Sequence, residues 1–179
     1  MKARFAWTVL LAVVAIDLAT KSLAASLLPP NGMAQPIIGD VLKFALVYNP
    51  GAAFGLYLGD YSRWIFMALT MGALLILWRL YQQTRDSQRT RTLAVALVAA
   101  GAIGNLIDRI RSDLGVVDFL DVGVGLHRWP TFNVADMAVS GGAFLLAWVL
   151  WGEEQHESAH EQPTASSPVT VDVADIPRP

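Results

Sequence analysis

Four strongly apolar stretches of this chain, unbroken by proline, carry no charged residue: Phe5 to Ile16, Trp64 to Trp78, Thr92 to Ile107 and Met137 to Gly152. With their polar shoulders they approach the roughly 20 apolar residues that a helix needs to cross a hydrocarbon core about 30 Å thick. Charged residues make up only 16% of the chain and hydrophobic residues 54%, whereas a soluble domain carries about 25% charge to cover its surface. The expected class is an integral, all-α membrane protein of four spans over about residues 5–24, 62–82, 92–109 and 133–152. The net charge of -2 offers no basic footprint for nucleic acid. Cysteine is absent, which excludes disulfides, thiolate nucleophiles and cysteine metal clusters.

The first span opens with Lys2 and Arg4 and ends in Ala24-Ala25, a pattern shared with secretory signal peptides. Asp17 directly after the apolar core, with three more spans to come, argues for a retained helix. Residues 26–61 form the first outer loop. Pro29-Pro30-Asn31-Gly32 breaks any helix there, and Leu42, Phe44, Leu46 and Tyr48 alternate with a strand period before the turn residues Asn49-Pro50-Gly51. The expected element is a small β cradle on the membrane surface. Gly51 and Gly55 have a small-xxx-small spacing, but outside the apolar runs it does not read as a helix-dimer face. Arg63 and Arg79 bracket the second span, with Tyr61, Trp64, Trp78 and Tyr81 as interfacial anchors. Alanine and glycine in the third allow close helix packing. Residues 153–179, rich in Glu, His, Ser, Pro and Thr, are expected to form a disordered cytoplasmic tail beyond the 1–152 membrane domain.

Four spans put both termini on one side with the 82–91 loop. That side collects Lys2, Arg4, Arg79, Arg85, Arg89, Arg91 and Arg178 against Lys43, Arg63, Arg109, Arg111 and Arg128, which favours cytoplasmic termini. Asp17 lies twelve residues beyond Phe5, about 18 Å along a helix and so in the outer half of the core. Asp108 ends the third span and Asp136 begins the fourth on the same side. Intramembrane acids are costly and mark a partner or a task.

Asp118, in the apolar run Val116 to Leu120, and Asp136 are the candidate catalytic pair. Two neighbouring carboxylates share a proton, so one can activate water while the other protonates or polarises a peptide bond. The residues alone leave open a structural role in which Asp118 caps a turn and Asp136 makes a packing hydrogen bond. Asp17 and Lys21, four apart on one helical face, read as an internal ion pair. Asp108-Arg109 reads as a buried clamp, with Arg109 suited to hold a lipid phosphate or a backbone carbonyl. Asn49, Asn105 and Asn133 offer donors and acceptors to a dry pocket. Asp113 and Asp121 read as solvated loop residues and Ser140 as a packing residue. No His-Glu-x-x-His pattern supports a zinc protease, and no base is placed beside Ser140. No cofactor or metal is expected. A small transporter or proton channel using Asp17, Lys21, Asp108, Arg109, Asp118 and Asp136 as a relay, and a non-enzymatic scaffold, remain the competing functions.

Asp17-Leu-Ala-Thr-Lys21, Asn49-Pro-Gly-Ala-Ala-Phe54, Gly104-Asn-Leu-Ile-Asp-Arg109, Val116-Val-Asp-Phe119 and Phe132-Asn-Val-Ala-Asp136 together resemble the five ordered motifs of the lipoprotein signal peptidase (signal peptidase II) family. The resemblance implies a monomeric aspartyl endopeptidase of the bacterial inner membrane. Such an enzyme removes signal peptides from prolipoproteins, cutting before a diacylglyceryl-modified cysteine, with membrane phospholipid around it and no cofactor. By the same resemblance Asp118 and Asp136 are catalytic. Asn49, Gly51, Asn105, Arg109, Asn133 and Ala135 line the pocket, and Asp17, Lys21 and Asp108 hold the scaffold. Pro50 fills the variable position of the Asn-x-Gly motif, and the acidic tail lies outside the pattern.

Overall fold

The computed structural model describes residues 1–30, 32–51 and 58–161. Asn31, the Ala52 to Phe54 part of the second motif, Gly55 and the tail from 162 onward lie outside the described residues. Among the described residues there are four long helices: α1 (Lys2–Leu27), α2 (Ser62–Gln83, entered through a 3-10 turn at Gly59–Tyr61), α3 (Arg89–Arg111) and α4 (Val134–Glu161). All four are long and apolar enough to cross a membrane. Leu11, Leu69, Leu75 and Phe144 are 60–71% exposed, which suits side chains whose solvent is lipid. The last helix runs past Gly152, where the composition changes. Glu153 accepts hydrogen bonds from Gln88 Nε2 at 2.7 Å and Arg91 Nη1 at 2.8 Å, so the start of α3 holds the first turn beyond the apolar run.

Helix α3 is the centre. It packs against α1, α2 and α4, and half of its apolar window is buried against 11–17% for the others. Its small residues make this possible. A side chain at Gly101 would run into Ala135 and Val139 of α4, one at Gly104 into the Asp17 carboxylate of α1, and Gly142 returns the favour toward Ala94 and Val98. The alanine and glycine content read from the sequence therefore marks helix-to-helix contact.

Outside the helices lies a four-stranded antiparallel sheet in the order β1 (Gln35–Ile38), β2 (Leu42–Asn49), β3 (Val116–Val124) and β4 (His127–Arg128). Half of this sheet comes from the segment between α3 and α4, not from the 26–61 loop to which the sequence reading confines it. β-branched residues in Val116-Val117 and Val122 suit a strand, but two aspartates and a glycine interrupt the pattern. β2 pairs with β3 in the register Phe44 to Leu120 and Val47 to Asp118, with an irregularity between. Three steps on β2 thus face two on β3, which is a bulge. The simple alternation expected for β2 breaks there, and Ala45 and Leu46 are buried consecutively. Gly115, at φ +100° and against the backbone of Asn49 and Pro50, admits no side chain at the entrance to β3. Phe44 and Phe119 meet edge to face at 6.1 Å. Asp121 is a strand residue, not a solvated loop residue: it pairs with Arg128 Nε at 2.8 Å. Asp113 is exposed and paired with Arg63.

The helices are joined inside by charge. Lys21 Nζ lies 2.8 Å from Asp17 Oδ2 and 2.8 Å from Asp108 Oδ2, and donates at 2.8 Å to Asn105 Oδ1. Lys21 and Asp17 are 3% and 0% exposed. Asp108 is thus the partner of Lys21 and not of its neighbour Arg109, contrary to the clamp expected from adjacency. Removing one partner of a buried ion pair strands the others. Lys21→Met is expected to destabilise the protein by about 3–5 kcal/mol. Reversible unfolding in mixed micelles would show this as a far larger loss than that of Lys43→Met, whose pair with Asp40 is solvated.

Candidate active site

Asp118 is a strand residue of β3 and Asp136 stands in the first turn of α4, and they meet because the intervening loop is stitched back onto β3. Phe132 O accepts from Phe119 N at 3.0 Å and Leu120 N at 2.8 Å, and Phe132 N donates to Leu120 O at 3.0 Å. The next residue, Asn133, then enters the helix beside Asp118. Asn133 and Asp136 cap α4 reciprocally: Asp136 N donates to Asn133 Oδ1 at 2.9 Å and Asn133 N donates to Asp136 Oδ2 at 3.1 Å. This is a capping box with Asn and Asp in the two positions, and it explains the Asn-x-x-Asp spacing.

Asn133 also joins the two acids. Its Nδ2 donates to Asp118 Oδ1 at 2.7 Å, and it is fully buried. Asn49 Nδ2 holds the other oxygen, Asp118 Oδ2, at 3.1 Å. Asn105 Nδ2 holds Asp136 Oδ1 at 2.8 Å, while its Oδ1 accepts from Lys21 Nζ and from Asn133 Nδ2 at 3.2 Å. Each carboxylate is thus fixed through both of its oxygens. Asp118 is 2% exposed, and its pKa is pushed up to about 7, first by burial and then by the charge of Asp136; Asn49, Asn133 and Lys21 pull the other way. A carboxyl that keeps a proton near neutral pH beside a second carboxylate is the arrangement that acid–base hydrolysis requires.

Both acids line one cavity of about 490 Å³, with Asn49, Asn105 and Arg109 around them. Its other walls are Phe66, Leu69, Ala73 and Leu77 of α2, Val98 of α3 and Val139 of α4, with Trp129 to Phe132 at the rim. The cavity is polar where the acids lie and hydrocarbon-like deeper in. Not every expected pocket residue faces it. Ala135 is fully buried behind the dyad, its N–H donating to Asp17 Oδ1 at 2.8 Å. Gly51 is buried, and its carbonyl is held by Arg109 Nη2 at 2.5 Å. The backbone carbonyl that the sequence suggests as one ligand for Arg109 is thus present, from Gly51. Asn133 stands behind both acids. Ser140, read as a packing residue, is exposed on the cavity wall; it lies one turn beyond Asp136, which was the available signal. Asp17, Lys21 and Asp108 form the layer beneath. Among the described residues no cluster of three or more His, Cys, Asp or Glu side chains is arranged to hold a metal.

Comparison with known proteins agrees with this architecture. Relatives called lipoprotein signal peptidase are 40% identical over 140 residues in Desulforapulum autotrophicum (76% of this chain, 85% of that one) and 36% identical over 158 residues in Pelotomaculum thermopropionicum (88% and 99%). The fold resembles a bacterial membrane enzyme solved in meso at 2.3 Å resolution, with a TM-score of 0.73, 27% identity and coverage of 90% of this chain and 93% of that one. A second such enzyme, at 1.9 Å, gives 0.67 and 30%, covering 81% and 91%. The family model for signal peptidase (SPase) II matches residues 9–152, which hold most of the first apolar run, the other three whole and both acids, and the chain belongs to the signal peptidase II family of membrane proteases.

Proposed function

We propose that this protein is an aspartyl endopeptidase that removes the signal peptide from diacylglyceryl-modified prolipoproteins, cutting before the lipidated cysteine, with Asp118 and Asp136 as the catalytic pair. The observation that carries the reading is the joining of these two acids by Asn133 on the wall of a cavity whose remaining lining is mainly apolar helix faces, with Thr70 and Ser140 among them. A lipid-bearing substrate needs both halves of such a cavity: hydrocarbon contact for the acyl and signal segments, and a polar end for the peptide bond.

In this reading the ionised member of the dyad takes a proton from water as its oxygen adds to the carbonyl carbon. The protonated member first polarises the carbonyl and then delivers its proton to the departing amine. Water is thus added across the C–N bond with no covalent intermediate. Asn49, Asn105 and Asn133 keep the carboxyl groups oriented, while Arg109 and Gly51 hold the adjoining backbone. The relatives' name, lipoprotein signal peptidase, supports the substrate class. The excess of Lys and Arg at the termini and in the 82–91 loop supports cytoplasmic termini in the inner membrane, with the site near the outer face. One chain supplies every proposed site residue, in keeping with a monomer. A proton relay gains no support, since the deep end of the cavity is lined by Ala73, Leu77 and Val98.

Purified protein in micelles, given a diacylglyceryl prolipoprotein and its unlipidated form, is expected to cut only the former. Asp118→Asn and Asp136→Asn should each lower kcat by about 10³-fold or more, while inserting and unfolding like wild type. Cleavage by both variants would remove the dyad assignment. The raised Asp118 also sets a pH dependence. Loss of the shared proton should make activity fall as pH rises through about 7. Asn49 stabilises the Asp118 carboxylate, so Asn49→Ala should move that alkaline limb to higher pH in a kcat profile.

A further inference from the structure

Resting on the aspartyl peptidase reading, we propose that Arg63 is a positioning residue for the reaction: from the first turn of α2 it holds the last turn of α3 so that Arg109 can fix Asn49 against Asp118. The four terminal carbonyls of a helix lack partners within it. Arg63 supplies two of them, donating from Nε to Arg109 O at 2.6 Å and from Nη2 to Ile110 O at 3.2 Å, while Nη1 pairs with Asp113. The forked guanidinium is suited to this because its donors are fixed in one plane.

From there a chain of bonds leads to the dyad. Arg109 Nη2 donates to Gly51 O at 2.5 Å, Gly51 N donates to Asn49 Oδ1 at 3.0 Å, and Asn49 Nδ2 donates to Asp118 Oδ2 at 3.1 Å. Phe66, one turn along α2 from Arg63, lies with its ring centroid 5.7 Å from the Arg109 guanidinium. Helix α2 therefore grips Arg109 at both its main chain and its side-chain end. The buried residues of this helix are Ser62 and Leu77; Lys2 of α1 holds its far end, donating to Tyr81 O and Thr84 O, and Arg63 holds its near end. Its Phe66, Leu69, Ala73 and Leu77 form a wall of the site cavity. The Arg63 tether thus fixes a cavity wall and the Asn49 donor together. In the sequence it reads only as the charge that closes a span.

The pH profile separates positioning from bulk stability. The charged groups facing Asp118 are Asp136 of α4, Lys21 of α1 and Arg109 of α3, with Asp108 of α3 accepting from Val117 N beside it; changing Arg63 removes none of these charges and acts through the placement of Arg109. In the micelle assay Arg63→Gln is expected to lower kcat by about 10- to 100-fold and to move the alkaline limb upward, as Asn49→Ala does. Added to Asn49→Ala it should shift the limb no further. Arg63→Lys, which can reach one carbonyl, should recover part of kcat, and Asp113→Asn should match wild type. The proposal is overturned if Arg63→Gln or Arg63→Lys cleaves like wild type. It is equally overturned if kcat falls with the limb unmoved, or if the two limb shifts add. Asp118→Asn in the same assay distinguishes the failures: cleavage by that variant sinks the peptidase reading, whereas its inactivity beside a normal Arg63→Gln sinks this inference alone.

Discussion

Lys21 sits among two carboxylates and one amide oxygen, and the interior of the protein is arranged around that cluster. Asp17, Asp108 and Asn105 each lie 2.8 Å from its Nζ. Two carboxylates against one ammonium would leave a buried negative charge, but backbone donors share it: Ala135 N binds Asp17 and Val117 N binds Asp108. A charge taken from water is tolerable when it is paired and its remaining lone pairs are filled. The donors come from α4 and β3, so neutralising the cluster also brings the elements that carry Asp136 and Asp118 onto α1 and α3.

The upper layer repeats this logic with neutral side chains. Asn133 and Asn105 each bond at both ends of the amide, and the lower of the two, Asn105, connects Lys21 to Asp136. Amides suit such a position because they donate and accept at once and carry no charge to be desolvated. The outcome is a pair of acids whose orientation does not depend on a bound substrate. Preorganised polar groups in a site with little water cost no reorganisation at the moment of reaction.

Much of the candidate site was legible because membrane chains spend few polar residues. Asp17, Lys21, Asn105, Asp108, Arg109, Asn133 and Asp136 stand out against their apolar neighbours, and all meet in the structure. What escaped was where local spacing misleads. Asp108 and Arg109 are adjacent, but helical geometry points consecutive side chains about 100° apart, so one turns to Lys21 and the other to Gly51. Asp118 and Asp121 interrupt an apolar pattern, which hid β3. Its strand character comes from pairing with β2 and from the return of Phe132, contacts distant in sequence. Arg63 had no local signature, since a basic residue at the end of a span is also what an interfacial anchor looks like.

The chain by itself determined the number of spans, their helical form and the clustering of polar residues toward one end. Each follows from local quantities: hydropathy over about 20 residues and the cost of an ionisable side chain in hydrocarbon. Tertiary structure decided which acid pairs with which base, which side chains face the cavity and how the loop after β3 brings Asp118 to Asp136. Those depend on close approach between elements far apart in the chain. Gly101 and Gly104 permit that approach, and the buried polar groups, which each need a partner, choose among the approaches available.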